Sequence, residues 1–424
     1  MKKTLIVLAL LASFQVADAQ SNVNSAAKAV ESALAASQNE KKATKVATWM
    51  KLAQTYVDAY GAPAGNVWIG ADMNALQLSM GGEKPSSVET VTLNGAQYTK
   101  QIYENKNLYF NANGQLSVIE IVKPVVENAL PKALEAYKKA YELDEKHSKD
   151  KDISAGIKTI SEKLNQEAYN AYTLGDVKKA EEYFEAAYEA AAQKPYAQID
   201  TNSLYNAAFT SWSTENFSKA KTMFDKCLGY GYYGDGGEVF AKLSDCVSHI
   251  DTTAAGKAAA KEYLEQGFQK FPTSEGIVFG LINYYMTSGE GTDRLFELLQ
   301  QAKATSPDNA SLYYVEGQAY KQIGDLDKAA KAYDESAAKD PKYVFAYIGK
   351  GQMYYDKALE LQEKDFEVTL KKCIEPFEQA YVVCEDAAIK STIAEYLKQI
   401  YYRFRDQDPK FQAGYEKYNA LLNN

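Results

Sequence analysis

A chain of 424 residues, 46% apolar and 24% charged, can bury a large core, either as two or three globular domains or as one elongated array. Its net charge of -9 excludes the basic balance that holds a protein on nucleic acid or on an anionic lipid surface. Two His and four Cys leave little material for a metal centre or a disulfide scaffold, while Tyr, at 33 residues, is over-represented.

Residues 1–19 read as a secretory signal peptide. Lys2 and Lys3 precede an apolar run, Leu5 to Ala12, and Ala17-Asp18-Ala19 forms a small-x-small cleavage site before Gln20. The run is too short to span a bilayer, and no Cys near the cleavage point could take a lipid. The expectation is an exported protein of a bacterial periplasm or exterior, without a membrane span. Residues 20–60 hold a helical segment over Ala26–Ala36 and a first repeat helix at Thr48–Tyr60, where Trp49, Leu52, Ala53 and Tyr56 make one apolar stripe.

Residues 61–124 change character. Gly61, Pro63, Gly65, Gly70, Gly81, Gly82 and Pro85 break helices, and β-branched and aromatic runs then flank Asn94-Gly95 and Asn113-Gly114. This predicts a β-rich insertion of three or four antiparallel strands. Helical spacing resumes at Val125, and Ala133, Tyr137 and Ala140 form the face of a partner helix, so the insertion splits the first helix pair.

From there to residue 424 one cadence recurs: a small residue, an aromatic or Leu four on, a small residue three further. The sets are Ala180, Phe184, Ala187; Ala220, Phe224, Cys227; Ala260, Leu264, Gly267; Leu295, Leu299, Ala302; Ala329, Tyr333, Ser336; Cys373, Phe377, Ala380; and a degenerate Phe411, Tyr415, Tyr418. Pro272, Pro307 and Pro341 fall 35 and 34 residues apart, at helix ends. The clearest unit is Ala310 to Tyr343, two amphipathic helices turning at Gly324-Asp325. Neither helix is long enough to stand alone, so such units must stack. Cys227 and Cys246 could bridge across a loop or stay buried thiols. The charged run Asp144–Asp152 reads as an exposed linker, and Asp176, Glu181 and Glu182 as a solvated face.

The unit at 310–343 resembles the tetratricopeptide repeat (TPR) family through Tyr313, Gly317, Tyr320, Ala329, Tyr333 and Pro341, departing at Glu316 where Leu is usual. The resemblance covers roughly residues 44–60 and 125–424. It implies an all-α solenoid of TPR-type helix pairs in a right-handed superhelix, with the β insertion in the first repeat and Ile389–Leu422 as a terminal cap. The export signal, Tyr-rich repeats and insertion look like exported repeat proteins of the Bacteroidetes.

Chemistry is scarce. No His-Glu-x-x-His, Cys-x-x-Cys, nucleophile elbow or phosphate loop occurs, and Gly229, Gly231 and Gly234 follow a helix rather than a strand, so they read as a helix exit. Asn111, Asn113 and Gln115 imitate half a calcium loop but fit a turn better. No catalytic residue, metal or cofactor is expected. Aligning the repeats instead places Tyr169, Tyr172, Tyr205, Phe209, Trp212, Tyr284, Tyr314, Gln318, Phe345, Gln352 and Tyr355 on the groove face of first helices. These rings either pack between adjacent first helices or face the groove. Chaperone-binding TPR proteins carry Lys and Asn there to hold a carboxylate, and this sequence does not. The resulting expectation is a non-catalytic scaffold of the bacterial envelope that binds a peptide or protein in an aromatic concave groove, with glycan binding as the rival.

Overall fold

The structure, a computed structural model, describes residues 23–80, 83–288 and 291–422. The signal-peptide reading lies outside the described residues. The chain divides into two compact units, 1–232 and 233–424.

In the first unit, α1 (Val23–Gln38) buries Ala26, Val30 and Ala33. A short α2 (Glu40–Ala43) leads into α3 (Val46–Gly61), and α3 packs against α5 (Ala129–Leu143) across the insertion. Leu52, Ala53, Tyr56, Ala133, Tyr137 and Ala140 share one buried cluster. The next pairs are α6 (Asp150–Thr173) with α7 (Val177–Ala191), and α8 (Thr201–Ser213) with α9 (Phe217–Gly229). Small residues matter here because they let a ring reach the neighbouring backbone. Gly156 in α6 faces the Tyr137 ring, and any Cβ there would collide with it.

The insertion contains four strands, β1 (Ser87–Leu93), β2 (Ala96–Ile102), β3 (Lys106–Phe110) and β4 (Leu116–Ile121), antiparallel in that order. Leu93 pairs with Ala96 across Asn94-Gly95, whose φ angles of 50° and 80° are those a tight primed turn requires. At the second turn Asn111 accepts from the backbone N–H of Asn113 and Gln115, which makes it a local turn rather than a cation loop. The sequence did not indicate α4 (Met73–Ser79), which Asp72 caps by accepting from the Ala75 N–H at 2.9 Å. Leu76 of α4 joins Ala71, Tyr103, Leu108, Phe110 and Leu116 in a separate small core.

The sheet docks on α6. The Asn170 side chain donates to the Ile119 carbonyl of β4 at 3.1 Å, and Asn94 at the hairpin tip donates to the Tyr172 and Thr173 carbonyls at 3.2 and 3.3 Å. The hairpin tip thus adds a side-chain donor to carbonyls in the last turn of α6.

The second unit contains α10 (Glu238–Ile250) with α11 (Ala254–Lys270), α12 (Glu275–Ser288) with α13 (Thr292–Thr305), and α14 (Ala310–Gln322) with α15 (Leu326–Lys339). It continues with α16 (Val344–Leu359), α17 (Glu363–Lys371), α18 (Ile374–Val383), α19 (Ala387–Phe404) and α20 (Pro409–Leu422). Here α16 pairs with α18, with α17 intervening, and α19 pairs with α20. Pro272, Pro307 and Pro341 all sit in the breaks between pairs. Seven of the eight small–large–small sets are fully buried, from Ala133–Tyr137–Ala140 to Cys373–Phe377–Ala380.

Three sequence readings change. The eighth set is shifted: Phe411 and Tyr415 are only half-buried, and the working pair is Gly414, pressed on the Tyr401 ring, with the buried Tyr418 four residues on. Glu181 is not on a solvated face but is buried, with Lys219 of α9 bonded to it and to Glu185. Asp144 is likewise buried, accepting from the Lys149 N–H at 2.6 Å and the Ser148 hydroxyl at 3.0 Å, so it organises the α5–α6 turn instead of lying in an exposed linker. All four cysteines are buried thiols, and burial pushes Cys227 and Cys373 up to about 12.

Candidate functional site

Within each unit the first helices carry a strip of aromatic side chains. In the first unit, residues 169, 172, 205, 209 and 212 follow helical steps of three and four along α6 and α8, so each set lies on one helix face. All five are half-buried. The Tyr205 ring lies 6.4 Å from Phe209 and 5.6 Å from Tyr232, and Phe209 lies 5.7 Å from Trp212. The strip is rooted in the core, since Tyr169 meets Phe184 edge-on at 5.1 Å and Tyr205 meets Phe224 at 5.8 Å. An amide fixes its polar end: Asn206 donates to the Tyr169 hydroxyl at 3.0 Å. Burial raises the Tyr169 and Tyr172 phenols above their ordinary value, so both remain neutral donors at neutral pH.

The second unit repeats the arrangement on α14 and α16. The Tyr314 ring contacts Tyr333, Tyr343 and Phe345 at 6.0, 6.0 and 6.2 Å. Gln318 donates to the Tyr314 hydroxyl at 2.8 Å, again an amide on a phenol. Tyr343 is pushed up to about 12 by burial. Tyr355 packs edge-on against Tyr396 at 5.1 Å, and Gln352 is half-buried one turn before it. Lys321 of α14 pairs with Asp356 of α16 at 2.6 Å, beside Tyr355. Tyr284 meets Tyr285 edge-on at 5.4 Å, with the Lys261 ammonium 5.2 Å above it.

Among the described residues, no group of three or more His, Cys, Asp or Glu is placed to hold a metal. Two shallow concavities, one lined by Thr273, Glu275 and Leu312 and one by Tyr188, Leu204 and Met223, hold roughly 10 and 30 Å³, room for a water or two.

Residues 310–343 match the tetratricopeptide repeat family model. The chain carries a tetratricopeptide repeat. Tetratricopeptide repeat protein 1 of Schizosaccharomyces pombe is 24% identical over 150 residues, which is 34% of this chain and 14% of that relative's length. A tetratricopeptide repeat protein from Parabacteroides merdae aligns in structure over 56% of this chain and 98% of its own, at 12% identity and a TM-score of 0.40. YrrB, described as a TPR protein with an unusual peptide-binding site, aligns over 51% of this chain and 98% of its own, at 18% identity and a TM-score of 0.35.

In the tetratricopeptide unit itself, Tyr333 is the buried knob, 1% exposed, held in slots formed by Gly317 of its own repeat and Gly349 of the next. Tyr313 and Tyr320 are only half-buried: Tyr320 packs on Phe296 at 4.5 Å, and Tyr313 lies under the Lys303 and Lys339 ammonium groups. Glu316, the departure from the family pattern, is buried and paired with Lys303 of α13 at 2.7 Å. Sequence reasoning missed Asn206, Tyr232, Tyr343 and the Lys321–Asp356 pair. The phase of each first helix could have found Asn206, one residue after Tyr205. Tyr232 and Tyr343 lie outside the helices, where no periodicity reports on them.

Proposed function

We propose that the chain is a non-catalytic binding scaffold of the bacterial envelope, exported through its N-terminal signal, that holds an extended peptide or protein segment along the aromatic strips of its first helices. The observation that carries this reading is the Tyr205–Phe209–Trp212 run with Tyr232, a linked set of half-buried rings beside an oriented amide. Rigid amphipathic rings bury contact area at low entropic cost, which suits an extended chain. No helix among the described residues is long and apolar enough to cross a membrane.

The test is a peptide-display selection against the full chain, followed by affinity measurement on the wild type and on Trp212→Ala and Tyr172→Ala variants. Selected peptides should lose about tenfold or more in affinity on either variant, a loss of about 1.4 kcal/mol or more. Peptides that bind both variants unchanged would refute the groove. Rings with adjacent amides also suit sugar faces, so a glycan array is run in parallel; a retained glycan that Trp212→Ala releases would favour the rival.

A further inference from the structure

We propose that strand β1 is a docking edge at which an extended segment of a partner protein adds to the insertion as a fifth strand. This rests on the reading of the chain as a peptide-binding scaffold and says how one stretch of the partner is held.

The two edges of the sheet are treated differently. The outer edge of β4 is covered. Gly70 donates to the Leu116 carbonyl at 2.7 Å, the Leu116 N–H donates to Ala71 at 2.8 Å, Asp72 bridges to Gln115, and Asn170 donates to the Ile119 carbonyl at 3.1 Å. At β1 no such cover is present among the described residues, and Ser87, Val88, Glu89, Thr90 and Thr92 are exposed, Val88 at 57%. The two-residue turn makes Leu93 and Ala96 a mutually bonded pair, so Val91, Glu89 and Ser87 also bond inward to β2. Val88, Thr90 and Thr92 therefore aim their N–H and C=O groups outward, spaced for another strand. Proteins usually blunt such an edge with Pro, Lys or a bulge, and Ser87–Leu93, SVETVTL, has no Pro or Lys and runs in unbroken register with β2.

The occupant follows from charge and position. Glu89 is the only charged residue in the strand, in a chain of net charge -9, so the segment carries a cation opposite Glu89 and β-branched residues on either side. Asn94 fixes the end of β1 at the carbonyl of Tyr172, so a strand laid along β1 arrives at the end of α6 that carries Tyr172. Two copies of this chain joined through β1 alone would bury far less than the about 1,200–2,000 Å² of a stable dimer, and would make no use of those rings.

The test uses the full chain and the peptide Thr-Val-Thr-Lys-Thr-Val-Thr-amide carrying fluorescein on its N-terminal amine, so that the lysine stays cationic, followed by anisotropy. Two further peptides carry N-methyl groups on one or the other alternate set of residues. One methylated set should cost about tenfold or more and the other should be tolerated, because a strand bonds through alternate residues only. Binding should also slow amide exchange at Val88, Thr90 and Thr92. Thr90→Pro, which removes an outward N–H and spares the inward ladder, should cost about tenfold. Equal binding of both methylated peptides, no slowing at those amides, or no binding at millimolar peptide overturns the proposal. If Thr90→Pro leaves binding of the display-selected peptide intact while Trp212→Ala abolishes it, the edge fails and the groove stands; the reverse sinks the groove alone. A wild-type dimer in sedimentation that Thr90→Pro dissolves overturns the partner segment in favour of a second copy.

Discussion

The packing account turns on Tyr333, and Gly349→Ala perturbs it most cleanly. A Cβ at Gly349 would stand 2.7 Å from Tyr333 Cε1 and 3.0 Å from Tyr314 Cε2, against 3.4 Å or more in ordinary contact. The Tyr333 ring is 1% exposed and is also pressed by Gly317, where a Cβ would likewise lie 2.7 Å away, so the ring is tightly confined. Alanine inside a helix normally gains up to about 1 kcal/mol over glycine. Overpacking costs about 1–3 kcal/mol, and with two rings bounding the site the net should be a destabilisation of about 1–2 kcal/mol. The control is Gly276→Ala near the start of α12, where the new Cβ meets Ala241 at an ordinary 3.7 Å and should stabilise. Urea unfolding followed by circular dichroism gives the midpoint shift at unchanged slope. In a Tyr333→Leu background, itself destabilised by the lost ring, the Gly349→Ala step should cost little, because the smaller side chain vacates the slot. A Gly349→Ala protein as stable as, or more stable than, the wild type would refute the claim that these glycines exist to admit the ring.

Tyr333→Phe should be neutral or stabilising by about 1 kcal/mol in the same assay, because the Tyr333 hydroxyl is buried with no partner among the described residues. Glu316→Leu, although it restores the usual family residue, should cost about 2–3 kcal/mol by stranding Lys303, while Glu316→Leu with Lys303→Met should return to wild-type stability or above. Asn94→Ala should leave the global midpoint nearly unchanged and speed amide exchange in β1 and β2, since it frees the hairpin tip from α6 and strains a position at φ 50°. Asp325, held below the usual carboxylate range by its hydrogen bonds to Lys328, caps α15. A depressed pKa stabilises above the unfolded value of about 3.9 and loses that contribution as pH falls through the folded value, so Asp325→Asn should lower the urea midpoint at pH 7 and converge on the wild type as pH falls below about 4.

Much of the fold was legible because its signal is one-dimensional. A knob such as Phe184 must have small residues four before and three after it, Ala180 and Ala187, and all three are fully buried as that spacing requires. Asn94-Gly95 announced its hairpin because a two-residue turn with positive φ admits few residue types. What escaped depends on partners far along the chain. Glu181 reads as solvated because nothing nearby in sequence reports that Lys219 reaches it, and Glu316 reads as an anomaly until Lys303 is beside it. Asp144 reads as linker charge because its role is to bond backbone five residues on. The α4 helix was too short to show periodicity between Gly70 and Gly81. In the candidate site, steps of three and four picked out the rings on α6, α8 and α14, whereas Tyr232 and Tyr343 come from loops whose path no spacing rule describes.

The central claim is that the first helices, not the second, hold the partner. Hydrogen–deuterium exchange on the full chain, with and without a selected peptide at saturation, tests it most directly. The account predicts slowed exchange in α6 and α8, around Tyr169, Tyr172, Tyr205 and Trp212, with α7 and α9 unchanged. Protection confined to α7 and α9, or none in either pair, would contradict it.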